Sequence, residues 1–432
     1  MTATSQPHPF GSADDPREQI QRVWWKREST LDVMGGFSLI GAQWRMAGNA
    51  TANFVTKSFT GRLHQTIRTG IYGLYERDFN EPYDILRSID FIRYNPPASS
   101  PFYLRIGPLK RMRLGPGHLV NFYNTYVAWD DRTVGAEMRY EVPLFSLTAF
   151  TGNLLLNNPA GARIGLRPLF RAQDPRTKSF TVGFSYVTDL GTRTEGLPEL
   201  TAYNIDVGFD ALSSGSISLT PFASFAWYEH YGAGLGLGAT LDSPNFIDLM
   251  RFNLRMALFY NGRDFIPGYI GSFYPVSNLR ARIVDSDRYF SEGGQDRLRG
   301  VTLERALGGN DLVTELRVLF FQRFEFWYYF RRHYGTQSLS EYHLRLFLNV
   351  PNKLQLNAGI DRGGLTGFFS LFSPIGDQTS LVFESSYNVA GPFWAHITAL
   401  YTFERLGDAE DGSPRYLVQR RFEPFVGMRF TF

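Results

Sequence analysis

The chain has 432 residues, 43% of them hydrophobic and 16% aromatic, with 44 basic side chains, 41 acidic ones and no cysteine. Without Cys there is no disulfide framework, thiol nucleophile or Cys metal site. A formal charge of +3 with no long block of one sign excludes the electrostatic footprint of a nucleic-acid binder.

Residues 1–30 are polar and carry Pro7, Pro9 and Pro16. They lack the apolar core of a secretory signal peptide. We read them as a tail or as a segment tucked into a barrel mouth, and residues 31–432 as one unit with no linker to cut.

From about residue 31 the chain is a succession of alternating runs. Val134, Ala136, Met138, Tyr140 and Val142 oppose Gly135, Glu137, Arg139 and Glu141. Met250, Phe252, Leu254, Met256 and Leu258 oppose Arg251, Asn253 and Arg255. Tyr342, Leu344, Leu346 and Leu348 oppose Glu341, His343 and Arg345. Period-2 alternation puts successive side chains on opposite faces of a strand. Most runs approach the ~9–11 residues with which a tilted strand crosses a bilayer, and none reaches the ~20 apolar residues of a spanning helix. The pattern predicts 16–20 strands, with 18 as the central value. The stretches 31–50 and 312–332 are the hardest to divide.

Pro351-Asn352 and Gly363-Gly364 read as tight connections. Residues 95–101, 172–178, 262–296 and 406–414 read as long ones. The span 262–311 predicts one or two large extracellular loops or an inward-folding constriction. Gly232 to Leu241 places its glycines on one strand face. A phosphate loop needs consecutive amides leading into a helix. Bare backbone on a strand predicts instead that a plug, loop or terminal segment packs closely there.

Charges facing lipid cost about 2–4 kcal/mol each at the bilayer midplane. Glu137, Arg139, Glu141, Arg251, Arg255, Glu315, Arg317, Arg345 and Asp361 therefore point into a water-filled interior. Arg163, Arg167 and Arg171 form the least compensated file and the best candidate for an anion ladder. The wall is either an anion-favouring pore or a lattice of mutually satisfied ion pairs. The seven His are scattered and form no H-E-x-x-H or other metal pattern. His118 and His230 are the candidates for a rim hydrolase, if a Ser and an acid join either. The reading is a non-enzyme with no metal and no cofactor.

The last stretch, Arg421 to Phe432, is an apolar file of Phe422, Pro424, Val426, Met428, Phe430 and Phe432 set against a mostly polar or small one. Gly427, Phe430 and Phe432 together resemble the C-terminal signal strand of bacterial outer-membrane β-barrels, with Phe425 departing at a usually polar position. The resemblance implies an all-β, single transmembrane antiparallel up-and-down barrel in the bacterial outer membrane. It would contact lipid and be inserted by the barrel-assembly machinery. Gly293 to Gly300, with Leu307 to Asn310 and Thr314 to Arg317, resembles the lumen-loop motif of the barrel-insertase and two-partner-secretion superfamily. That implies that Arg299 and Gly300 reach into the barrel, where Arg299 pairs with an acid such as Glu315. The chain departs in lacking preceding periplasmic repeats and in having more runs after Glu315.

The functional expectation is a passive channel or transporter for small polar solutes, leaning toward anions, with no nucleic-acid partner. The alternatives are a plugged interaction barrel that binds an envelope partner, or a barrel-insertase relative.

Overall fold

The computed structural model describes residues 29–432 apart from 72, 80, 95–100, 128–131, 190–199, 215–216, 247–248, 278–302, 322, 338, 366–377 and 409–413. The tail 1–28 lies outside the described residues, as do Arg299 and Gly300. Strands dominate, and two of them, Gly73–Leu74 and Leu212–Ser213, have only two residues. The remaining 20 form a ring of antiparallel neighbours. The ring closes where Thr30–Ile40 pairs with Pro414–Thr431.

Twenty strands is the top of the expected range and two above its central value. Residues 31–50 divide at Gly41, whose φ of 60° makes the turn between Thr30–Ile40 and Gln43–Val55. Residues 312–332 divide between Gly309–Phe320 and Phe324–Tyr334. Gly363-Gly364 is a correction: both lie inside the strand Leu354–Leu365, so this pair is not a connection. Likewise 406–408 belong to the strand Phe393–Asp408.

Alternation sorts the two faces. In the last strand Val426, Met428 and Phe430 are exposed, while Arg421, Glu423 and Phe425 are buried. In the first, Val33 and Phe37 are exposed while Asp32, Met34 and Ser38 are buried. An apolar outside, a polar inside and no free edge are what lipid demands of a β-structure, because every backbone group must be paired within the protein. This is a transmembrane barrel of the bacterial outer-membrane type.

Both ends of the ring-closing pair Thr30 and Thr431 lie at one rim. Several connections there are short: 56–58, 142–144, 321–323, 351–353 and 391–392. At the opposite rim lie the longer connections that follow Gly70, Gly107 and Asn261. Short turns mark the periplasmic side, so Thr30 and Thr431 lie at the periplasmic rim and these longer connections start from the outer one.

Two of those long segments turn inward. Residues 108–127 leave the strand Phe102–Gly107 and fold back on themselves, with Met112 bridged to Tyr123. Residues 262–277 follow the strand Met250–Asn261 and meet them through a parallel bridge between Val120 and Ile270. Together they build a hydrophobic core inside the barrel. Leu109, Met112, Leu119, Val120, Tyr123, Ile270 and Tyr274 pack against Phe150, Val187, Ala226 and Tyr228 of the wall.

Candidate functional site

The lumen is the site, and its inserted segments are held by polar ties to the wall. Arg113 of the first segment donates to Glu315 Oε2 at 2.7 Å. Trp327 Nε1 donates to the other carboxylate oxygen at 2.9 Å, and Arg255 lies 3.8 Å away. Asn121 accepts from Arg113 Nε at 2.8 Å and donates to Tyr329 Oη at 2.9 Å. Arg255 and Arg331 donate to the backbone carbonyls of Pro116 and Pro267. Tyr274 Oη donates to Asp189 at 2.7 Å. The cation that a lumen segment brings to Glu315 is Arg113, from residues 108–127; Arg299, to which the resemblance gave this role, lies outside the described residues.

The glycine-rich strand meets this plug. A side chain at Gly234 would stand 2.5 Å from the ring of Phe265, and one at Gly232 would strike the carbonyl of Arg263. Farther down the strand, Gly236 and Gly238 make room for the inward rings of Phe259 and Phe222 on the neighbouring strands.

His118 is fully buried between the rings of Phe259 and Phe265, with centroids 4.7 and 5.3 Å away. Its Nδ1 lies 3.0 Å from Ser224 Oγ, and its Nε2 meets no hydrogen-bond partner among the described residues. Burial first, and then the charge of Arg255, hold its pKa down to about 3. A His–Ser pair thus forms between the inserted segment and the wall, but among the described residues no acid orients the second nitrogen. His230 sits exposed at φ 66° beside Glu229. Neither assembles the hydrolase constellation.

Most inward charges are paired on the wall itself. Glu137 accepts from Arg139 at 2.8 Å. Arg345 donates to Asp361 at 2.6 Å, and His343 lies 2.7 Å from the same carboxylate. Arg251 stands 3.6 Å from Asp242 and Arg317 3.9 Å from Glu325. Arg68 bridges Glu423 and Asp78, and Arg429 donates to Asp32 at 2.7 and 2.8 Å.

The anion ladder is corrected. Arg163 donates to both oxygens of Asp206, at 2.9 and 2.5 Å. The strand ends at Leu166, so Arg167 lies beyond it and donates to Glu141 at 2.6 Å. Arg171 lies in the following connection, with its guanidinium 5.3 Å from the Phe170 ring. Alternation extended past the end of the strand created a file that does not exist.

One group of cations is more loosely held. Arg62 on the inward file of Phe59–Gly70 and Lys110 of the first inserted segment share Asp90, at 3.5 and 3.7 Å. Their side chains remain 41% and 40% accessible although both lie inside the ring. Lys110 and Arg132 also flank the Tyr126 ring, at 4.7 and 5.8 Å from its centroid. Burial pulls the Lys110 ammonium down, and the carboxylates of Asp90 and Glu384 more than reverse this.

In the last strand, Gly427 packs against the backbone of Val33 and Met34, while Phe430 and Phe432 are exposed at its end. The inward Phe425 joins Met34, Ala47 and Trp394 in a small apolar cluster, which accounts for an aromatic at a usually polar position.

No protein-family model matches the chain, and no curated protein matches its sequence. Among solved structures it is similar to the outer membrane protein OpdK of Pseudomonas aeruginosa, with 6% identity, 94% of this chain and 98% of that one covered, and a TM-score of 0.37. It is similar to a variant of the ferric enterobactin receptor PfeA of the same organism, with 9% identity, 94% and 81% covered, and a TM-score of 0.35. It is also similar to CdiB from Acinetobacter baumannii, with 7% identity and a TM-score of 0.28; there the match covers 94% of this chain but 60% of that one. At this level of similarity no activity carries over.

Proposed function

We propose that the chain is a channel for small polar solutes with a preference for anions, and that its path runs along the accessible side of the lumen. The observation that supports this reading is the group of Arg62, Lys110 and Arg132 near the carboxylates of Asp90 and Glu384. Three cations against two acids leave positive charge in a confined polar space, which favours anion entry. The plug of residues 108–127 and 262–277 narrows the lumen on the other side and would restrict solute size.

The test is single-channel recording of the refolded protein in planar bilayers, with selectivity from the reversal potential. Steady conductance with anion preference is expected, and Lys110→Ala with Arg62→Ala should shift the reversal potential toward cations. A barrel that inserts and stays closed would overturn the proposal. It would favour the plugged interaction barrel, which the apolar core inside the lumen supports. Gly427, Phe430 and Phe432 are retained as a proposed assembly signal, for which removal of Phe432 should slow membrane insertion.

A further inference from the structure

The wall is uneven. Five adjacent strands, Ile89–Tyr94, Phe102–Gly107, Gly135–Glu141, Phe145–Thr151 and Pro159–Leu166, have only 6, 6, 7, 7 and 8 residues. At ~3.3 Å per residue and a tilt near 45° they rise about 14–19 Å, short of the ~25 Å apolar band of a membrane barrel. The deficit is at the outer end. The long strand Phe59–Gly70 starts level with its neighbour at Phe59 and Tyr94, and loses it after Leu63 and Ile89. Its remaining seven residues, 64–70, extend about 23 Å farther along the strand.

Gly73–Leu74 pairs with the end of that edge, and residues 75–79 and 81–88 cover the rest. His64 N donates to Ser88 O at 2.7 Å, Tyr75 N donates to Arg68 O at 2.9 Å, and Arg68 N donates to Asp78 Oδ2 at 2.9 Å. The segment has two faces. Asp78 and Asp84 are buried, the first paired with the inward Arg68 and the second with Arg87. Their chain neighbours Phe79 and Ile85 are 52% and 71% exposed. Tyr83 Oη ties the segment to residues 152–158, donating to Asn153 Oδ1 at 2.8 Å, and to the end of 108–134, accepting from Val134 N at 2.8 Å; in 152–158 the apolar side chains face out. There Leu154, Leu155 and Leu156 are exposed in a row.

We infer that residues 75–79, 81–88 and 152–158 complete the membrane wall above the short strands, and that their exposed apolar side chains bind the acyl chains of the outer leaflet. The apolar belt of the barrel continues into them, and the missing strand height is where they sit. Lipid tolerates non-strand backbone only when its polar groups are met within the protein, and the bonds to the free edge help to meet them. Asp78 and Asp84 turn inward while Phe79 and Ile85 are exposed, with Glu76 and Glu81 exposed at other positions of the segment.

The native chain has no Cys, so single nitroxide labels are placed at Ile85→Cys and Leu155→Cys. Val426→Cys serves as the lipid reference and Asn352→Cys as the water reference. Refolded protein, checked by heat-modifiable migration, is reconstituted in vesicles. Power saturation is then read with molecular oxygen and with a neutral nickel chelate. An oxygen-to-nickel accessibility ratio at 85 and 155 several-fold above that at 352, and close to that at 426, is the expected result. A nickel-dominated ratio overturns the inference by placing the panel in water. Shielding from both reagents overturns it too, because protein would then cover the patch. The two sites lie on separate connections, so either can decide if the other variant misfolds. The outcome is independent of whether the barrel conducts.

Discussion

Acidification from pH 7 to pH 4 should loosen the barrel through His118. Its imidazole is buried between Phe259 and Phe265, and its Nε2 meets no hydrogen-bond partner among the described residues. Burial and the nearby Arg255 hold its pKa down to about 3. In the unfolded chain it titrates near 6.5. Between these values the unfolded state binds a proton that the folded state refuses, so stability falls as pH falls. The contribution is fully present above about pH 6.5. At pH 4 the gap is roughly 2.5 units, or about 3.4 kcal/mol at 1.36 kcal/mol per unit. Other groups also titrate in this range, so the assay is a difference. Urea unfolding of the native chain is compared with that of His118→Asn and His118→Phe, in lipid vesicles at pH 7, 5.5 and 4. The native chain should lose about 3 kcal/mol more than either variant over that range. Parallel curves, agreeing within about 0.5 kcal/mol, would refute the reasoning, because they would mean that His118 titrates normally in the folded barrel.

Arg113→Ala removes the closest cation from the buried Glu315 and should cost about 3–5 kcal/mol; faster hydrogen exchange of the amides in 108–127 would report the loosened segment. Gly234→Leu drives a side chain into Phe265 and should cost about 1–3 kcal/mol, read as a lower urea midpoint and a larger or noisier conductance. Arg163→Ala leaves Asp206 buried without its fork partner and should destabilise by a similar 3–5 kcal/mol, yet leave the reversal potential unchanged. Val426→Arg puts a charge on the lipid face and should cost about 2–4 kcal/mol if it lies near the midplane, measured by reversible unfolding from vesicles.

The barrel was legible because lipid enforces a strict rule. Each strand must alternate, and the runs around Met138, Leu254 and Leu344 do so without interruption. The inward charges were legible for the same reason, since Arg139, Arg255 and Glu315 had only one affordable direction. Pairing across strands was not legible. Nothing local joins Arg163 to Asp206, 43 residues away, and the file through Arg167 and Arg171 failed because a strand end carries no mark in its periodicity. The glycines from Gly232 onward gave the one local sign of a plug, since bare backbone on a strand face is costly unless something approaches it.

The plug itself was hidden by the assumption that apolar means outward. Phe222, Phe259 and Trp327 all occupy inward positions and are buried there against Phe122 of the first inserted segment. A ring of twenty strands is too wide for its own side chains to fill. Large apolar groups on its inner face therefore need protein placed against them, or they would stand in water. The alternation that locates the charges thus carries a second message: an aromatic at an inward position predicts an inserted segment. The interruption at Gly107-Pro108 is where that segment begins. Read together, the inward aromatics, the glycine face and this break select residues 108–127 as filling.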